Sequence, residues 1–100
     1  MGRKVVISKT VERKLEKLFE YLIKEWSLKV KKDFVEKLDS SIEIIKNQPE
    51  IFPESKKGKS LRKCVVTKQT TIYYRYNSKR INIVTLFDTR QDPNKLDQEI

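Results

Sequence analysis

A chain of 100 residues with one cysteine, no histidine and a net charge of +9 makes one domain, residues 1–100, and cannot contain an internal disulfide. Without histidine there is no Ser-His-Asp or Cys-His arrangement, and a lone cysteine leaves too few soft ligands for an ordinary zinc site. Gly2 and Gly58 are the only glycines, too few for a phosphate-binding loop or a dinucleotide fingerprint, so neither a cofactor nor a metal is expected. Apolar and charged residues each make up 37% of the chain, and the apolar ones are patterned, which marks a folded domain. The positive charge attracts polyanions and acidic proteins. No apolar run approaches the roughly 20 residues that cross a bilayer. The opening Met1-Gly2-Arg3-Lys4-Val5 lacks the apolar stretch of a signal peptide, and Val6 and Ile7 break a myristoylation pattern. The cytoplasm is the expected compartment, with Cys64 a small strand residue in reducing surroundings.

Lys4 to Ser8, with Val5, Val6 and Ile7 in succession, reads as a first strand. Ser8 or Thr10 can cap the helix that follows. Val11, Leu15, Leu18, Phe19, Leu22, Ile23 and Trp26 recur at helical spacing, with charged residues opposite, and predict a helix over about Val11 to Trp26. Trp26 is read as core filler at its end. Ser27 can cap a second helix, about Leu28 to Lys46, whose stripe is Val30, Phe34, Leu38, Ile42 and Ile45. Two apolar stripes with a short break mean an antiparallel hairpin. Pro49 and Pro53 stop the second helix. A basic loop, Lys56-Lys57-Gly58-Lys59-Ser60, leads into a strand over Leu61 to Lys68. Gln69-Thr70 is read as a tight turn. Thr71 to Asn77 is a second strand, Asn77-Ser78-Lys79 a turn, and Arg80 to Asp88 a third strand. Asp92-Pro93 is a helix-start signal. The fold class is therefore α+β, in the order β-α-α-β-β-β, with the hairpin on one face of a mostly antiparallel sheet.

Strand alternation puts Ile72, Tyr74 and Tyr76 on one face and Thr71, Tyr73 and Arg75 on the other. The first set faces the helices, with the hydroxyls of Tyr74 and Tyr76 reaching the surface. The second faces the open side, within reach of Arg90. With Lys56, Lys57, Lys59, Arg62 and Lys63 it makes a basic surface suited to phosphates or to the acidic flank of a partner.

Several fragments carry a resemblance. They are Val5-Val6-Ile7-Ser8, then Leu15, Phe19, Tyr21 and Trp26, then Phe34, Leu38 and Ile42 with Asn47-Gln48-Pro49. Leu61-Arg62-Lys63, Ile72-Tyr73-Tyr74-Arg75-Tyr76 and Arg90-Gln91-Asp92-Pro93 follow. In this order the chain resembles the RelE/ParE superfamily of toxins from type II toxin-antitoxin systems, also called plasmid stabilisation proteins. The resemblance implies a growth-inhibiting toxin, a cognate antitoxin that silences it, and one of two actions. RelE-like members cut messenger RNA on the ribosome without a metal; ParE-like members inhibit DNA gyrase by binding.

For a nuclease the resemblance nominates Arg75, Arg90, Lys57, Lys59 and Tyr73 as catalytic candidates. For target or antitoxin binding the candidates are those of the basic surface read from the strands and loop: Lys56, Lys57, Lys59, Arg62, Lys63, Tyr73, Arg75 and Arg90. Two positions depart from the nuclease pattern: Thr71 stands where an arginine precedes the Ile-x-Tyr core, and Leu96 where some members have a terminal tyrosine. These departures favour the ParE-like branch. A RelE-like endoribonuclease and a basic nucleic-acid-binding module are the alternatives, although the chain has no recognition-helix motif or Cys/His module.

Overall fold

A computed structural model describes residues 3–56 and 58–89. The elements are β1 (Lys4–Ile7), α1 (Lys9–Glu25), α2 (Leu28–Asn47), a 3-10 turn (Pro49–Ile51), β2 (Arg62–Val65), β3 (Thr70–Tyr76) and β4 (Arg80–Asp88). Both helix starts are capped by serine. Ser8 Oγ accepts from Val11 N–H at 3.2 Å and Ser27 Oγ from Val30 N–H at 3.1 Å, satisfying donors that a helix start otherwise leaves open. Ser8, rather than Thr10, is the first cap; Thr10 lies inside α1.

The strands lie in the order β1-β4-β3-β2. β2, β3 and β4 form the antiparallel meander that their short connections dictate, and β1 pairs parallel to β4 on the far edge. The run Leu61 to Lys68 contributes only Arg62–Val65 as strand. Val66 to Gln69 form the turn, closed by Val66 N–H to the Thr70 carbonyl and by Thr67 Oγ1 accepting from Gln69 and Thr70 N–H. Thr70, read as a turn residue, is the first residue of β3, since its side chain is buried against the sheet.

Val11, Leu18 and Leu22 of α1 and Phe34, Leu38 and Ile45 of α2 share one buried core with Cys64, Ile72, Tyr74, Ile81, Ile83 and Leu86 of the sheet. Both helices therefore cover the same sheet face. Ile83 and Leu86 are three apart, so simple alternation would send them to opposite faces. The register explains how both reach the core. Tyr73 pairs with Thr85 but Tyr74 with Ile83, which leaves Val84 as the extra residue of a bulge and resets the phase. Lys14 of α1 reaches this bulge, donating to Thr85 Oγ1 at 2.7 Å and to the Leu86 carbonyl at 3.4 Å.

Tyr74 is the largest fully buried side chain. Its hydroxyl, expected at the surface, instead donates to the Pro49 carbonyl at 2.6 Å. The 3-10 turn after α2 offers that carbonyl at the depth of the ring, so the bond is made inside. Desolvation pushes the Tyr74 phenol far above its usual range. The Phe52 ring packs edge-on against Tyr74, centroids 6.4 Å apart. Trp26 departs from expectation in the opposite sense. It caps the end of α1 and is 60% exposed, because Phe19 and Phe34, in edge contact at 6.2 Å, already fill the space between the helices.

Candidate functional site

The face of the sheet away from the helices is built from the alternate residues Lys63 and Val65 of β2, Thr71, Tyr73 and Arg75 of β3 and their partners on β4. In register, Lys63 stands beside Tyr73 and Val65 beside Thr71, while Arg75 stands beside Asn82. The connection before β2 folds onto this face. Ser55 N–H donates to the Leu61 carbonyl at 2.6 Å, and Leu61 N–H to Gly58 O at 3.3 Å. Leu61 is fully buried. A β-carbon on Gly58 would sit 3.3 Å from Leu61 Cδ2 and 3.4 Å from Arg75 Nη2, so a glycine lets the loop lie this close. Ser60 takes a positive φ of 57° to turn the chain into Leu61. It does so without a glycine's freedom, in a region sparsely used by other residues.

Arg75 is exposed, and its Nε donates to the Lys59 carbonyl at 3.2 Å. One edge of the guanidinium is thereby fixed to the loop. Lys56, Lys59 and Lys63 are exposed around it. Tyr73 lies on the expected side but is only 6% exposed, between Lys63 and Thr85 in the sheet. Lys57 and Arg90, with Asp92 and Leu96, fall outside the described residues.

Arg62 belongs to a different environment. It alternates with Lys63 and so lies on the helix side of β2, where Nη1 donates to the Glu50 carbonyl at 3.1 Å and the Phe52 carbonyl at 2.5 Å. Nη2 is 3.8 Å from Glu54 Oε1. Its guanidinium carbon lies 5.6 Å from the centre of the Tyr76 ring, and that of Arg3 5.4 Å from the same ring. Five-donor arginine suits such a carbonyl clamp, and these contacts take Arg62 away from the open basic face.

The positive field extends beyond the residues picked out by motif. Between Glu54 and Asp88 the sequence holds nine cations and no acid. The fold exposes Lys68 at the β2–β3 turn and Lys79 and Arg80 at the β3–β4 turn. The missing acids were the sequence signal for these three. Chemically, the face can attract and orient an anionic group through Arg75 and its surrounding lysines. Among the described residues no group of histidine, cysteine, aspartate and glutamate side chains could hold a metal ion, and no helix is long and apolar enough to cross a membrane.

Beneath the other side of β2, the Cys64 thiol is buried. Burial raises its pKa, and a hydrogen bond with the Ser41 side chain opposes the rise. A shallow groove above it, lined by Glu36, Lys37, Ser40, Ser41 and Val66, separates α2 from the β2–β3 turn.

A helical hairpin on one face of this four-stranded mixed sheet defines the RelE/ParE class of toxin fold. The chain superimposes on a structure described as the chromosomal ParDE TA system from P. aeruginosa, with a TM-score of 0.73 and 8% identity over 87% of this chain and 96% of that one. It is also similar to the E. coli DinJ-YafQ toxin-antitoxin complex, with a TM-score of 0.62 and 12% identity over 90% and 96%. YafQ from E. coli aligns with a TM-score of 0.58 and 14% identity over 88% and 94%. At these identities the likeness is one of fold. No curated protein matches the sequence. The family model described as ParE toxin of type II toxin-antitoxin system, parDE, matches residues 5–93, and the chain belongs to that family.

Proposed function

We propose that this protein arrests growth by binding an essential target, DNA gyrase, and that an antitoxin with an acidic or amphipathic segment silences it by covering the basic sheet face. The observation that carries the reading is the open sheet face, where Lys56, Lys59 and Lys63 are exposed around a fixed Arg75, in a stretch of sequence that has nine cations and no acid between Glu54 and Asp88. Such a surface speeds association with an acidic partner and makes it sensitive to salt.

Cleavage asks for more than attraction. The extra negative charge of a phosphodiester transition state needs preorganised donors, and losing one typically costs a factor of about 100 to 1,000 in rate. Thr71 offers a hydroxyl where the nuclease pattern offers a guanidinium, and a hydroxyl cannot make a bidentate charged contact. Tyr73 is buried and does not present its hydroxyl freely to a backbone. The RelE-like reading, an endoribonuclease acting on messenger RNA at the ribosome, draws its support from Arg75, whose held guanidinium next to Lys59 is the part of a phosphate site that this face retains.

The test is a supercoiling assay with purified gyrase, with and without the product of the neighbouring gene. Inhibition relieved by that protein, with a complex that forms about tenfold more slowly when Lys59 and Lys63 are both changed to Glu, is the expected outcome. Unimpaired supercoiling at a large excess of the protein would remove gyrase as the target. Separate elution of the two proteins at low salt would remove the antitoxin claim.

A further inference from the structure

The turn between α1 and α2 carries an apolar patch that the fold leaves uncovered. Ile23 is 46% exposed, Trp26 60% and Leu28 54%, all within six residues of chain. Ile23 and Trp26 are three apart, so they share one side of the last turn of α1. Scattered single exposures are ordinary, but three large side chains together, one of them the only tryptophan, are a contiguous feature. The patch also lies away from the place where α2 meets β2. α2 meets β2 at Ser41, through Cys64, and Leu28 lies about 20 Å further along the helix axis at 1.5 Å per residue. The hairpin end is therefore the part of α2 farthest from that contact.

Cations outnumber acids around the patch: Lys24, Lys29 and Lys32 are exposed, against the exposed acids Glu25 and Asp33. The first turn of α2 contains no acid at all. Lysines at a helix N-terminus add to the positive end of the helix dipole instead of offsetting it. Isolated helices gain nothing from that arrangement; a partner with carboxylates does.

We propose that the hairpin end is the surface by which the toxin holds its target: Trp26, flanked by Ile23 and Leu28, inserts into an apolar cleft whose rim carries carboxylates facing Lys24, Lys29 and Lys32. This rests on the reading above that the protein acts by binding. The occupant is a folded protein with a preformed cleft, because one exposed tryptophan between two exposed aliphatic side chains is a short anchor that suits insertion, whereas an extended acidic chain finds its length of surface along the sheet. Target and antitoxin then contact different ends of the molecule. A buried tryptophan in a pocket is the common form of an interface hot spot.

The experiment uses the full chain carrying Ile23→Ser, Trp26→Ala and Leu28→Ser, compared with wild type in three readouts: growth arrest on induction, gyrase inhibition, and affinity for the cognate antitoxin. Circular dichroism and melting temperature check that the fold is retained, and Trp26→Ala alone serves as the milder variant. The expected result is loss of arrest and at least about a 30-fold weaker effect on gyrase, the size of a lost hot spot, with antitoxin affinity unchanged within about twofold. Wild-type protein labelled with 5-fluorotryptophan gives one fluorine resonance, which shifts on adding gyrase and not on adding antitoxin. Equal arrest by the triple variant overturns the inference and leaves the gyrase reading standing. A parallel loss of antitoxin affinity also overturns it, assigning the patch to the antitoxin, as does a resonance that shifts with anionic phospholipid vesicles instead. If wild type arrests growth without inhibiting gyrase while the triple variant does not arrest, the inference stands and gyrase falls. If wild type neither arrests growth nor inhibits gyrase, both fall.

Discussion

Cations and anions are interleaved in the helical layer and segregated in the sheet layer. α1 sets Lys9, Arg13, Lys14, Lys17 and Lys24 against Glu12, Glu16, Glu20 and Glu25, and α2 sets Lys29, Lys31, Lys32, Lys37 and Lys46 against Asp33, Glu36, Asp39 and Glu43. Pairs such as Glu20–Lys24 and Asp33–Lys37 have the four-residue spacing that mildly favours a helix, and Lys46 lies 3.8 Å from Glu43. The stretch from Ser55 to Phe87 has no acid with which to do the same. Crowding like charges opposes compactness, so this half of the molecule carries a repulsion that the helices avoid, and a stronger attraction for anions. Even the helical layer breaks its balance at one place, the first turn of α2, which has no acid and follows directly on the exposed Ile23 and Trp26.

The sharpest way to break this division is at the core that joins the two layers. Tyr74→Ala removes a fully buried ring together with its hydrogen bond to the Pro49 carbonyl. Urea denaturation should show a loss of about 3–5 kcal/mol, a large part of the roughly 5–15 kcal/mol that holds such a domain together. Tyr74→Phe keeps the ring and strands the carbonyl, at a cost of about 1–3 kcal/mol. A loss below about 0.5 kcal/mol for Tyr74→Ala would mean that the sheet and the turn after α2 are not coupled through this residue.

Arg62 and Lys63 sharpen the comparison because they are adjacent in sequence and opposite in role. Arg62→Ala gives up two carbonyl hydrogen bonds and the contact with the Tyr76 ring and should cost about 1–3 kcal/mol. Lys63→Ala should stay within about 0.5 kcal/mol of wild type, as exposed substitutions usually do, yet slow association with the antitoxin. Equal stability losses in both would erase the distinction between the two faces of β2.

The element order and the two helical stripes were legible because buried side chains at three- and four-residue spacing leave a period in the sequence. The two serine caps and the Asn77-Ser78-Lys79 turn were legible through their hydrogen-bonding chemistry. The bulge at Val84 was not, because its only effect on the sequence is a change of phase between Ile83 and Leu86 that apolar residues on both sides conceal. Trp26 was misread for a related reason: its spacing continues the stripe, but whether space remains at the hairpin end depends on how Phe19 and Phe34 meet. Arg62 carries the same charge as its neighbours, and only the fold shows that its donors are taken by carbonyls. At the basic face, the lysines of the loop and Arg75 were visible as a cluster. The burial of Tyr73 followed from sheet pairing and could not be seen in alternation alone.

The smallest expected effect concerns pH. The Cys64 and Tyr74 groups both have pKa values raised in the fold, chiefly by desolvation. The folded state then holds these protons more tightly than the unfolded chain, so their contribution to stability is full below the unfolded pKa and is lost as pH rises above it. For Cys64 the decline begins near its ordinary value of 9.0, with Tyr74 following at higher pH. The unfolding free energy measured at successive pH values should fall more gently above that point in Cys64→Val than in wild type. Identical slopes would show that the thiol is ionised as readily inside the fold as outside it.

The claim that the cationic sheet face binds rather than cuts is tested most directly by mapping messenger RNA ends on translating ribosomes incubated with the purified toxin. The account predicts no new ends at a protein concentration that arrests gyrase. Strong cuts at fixed codon positions, abolished by Arg75→Ala or Arg90→Ala, would contradict it and make the face an active site.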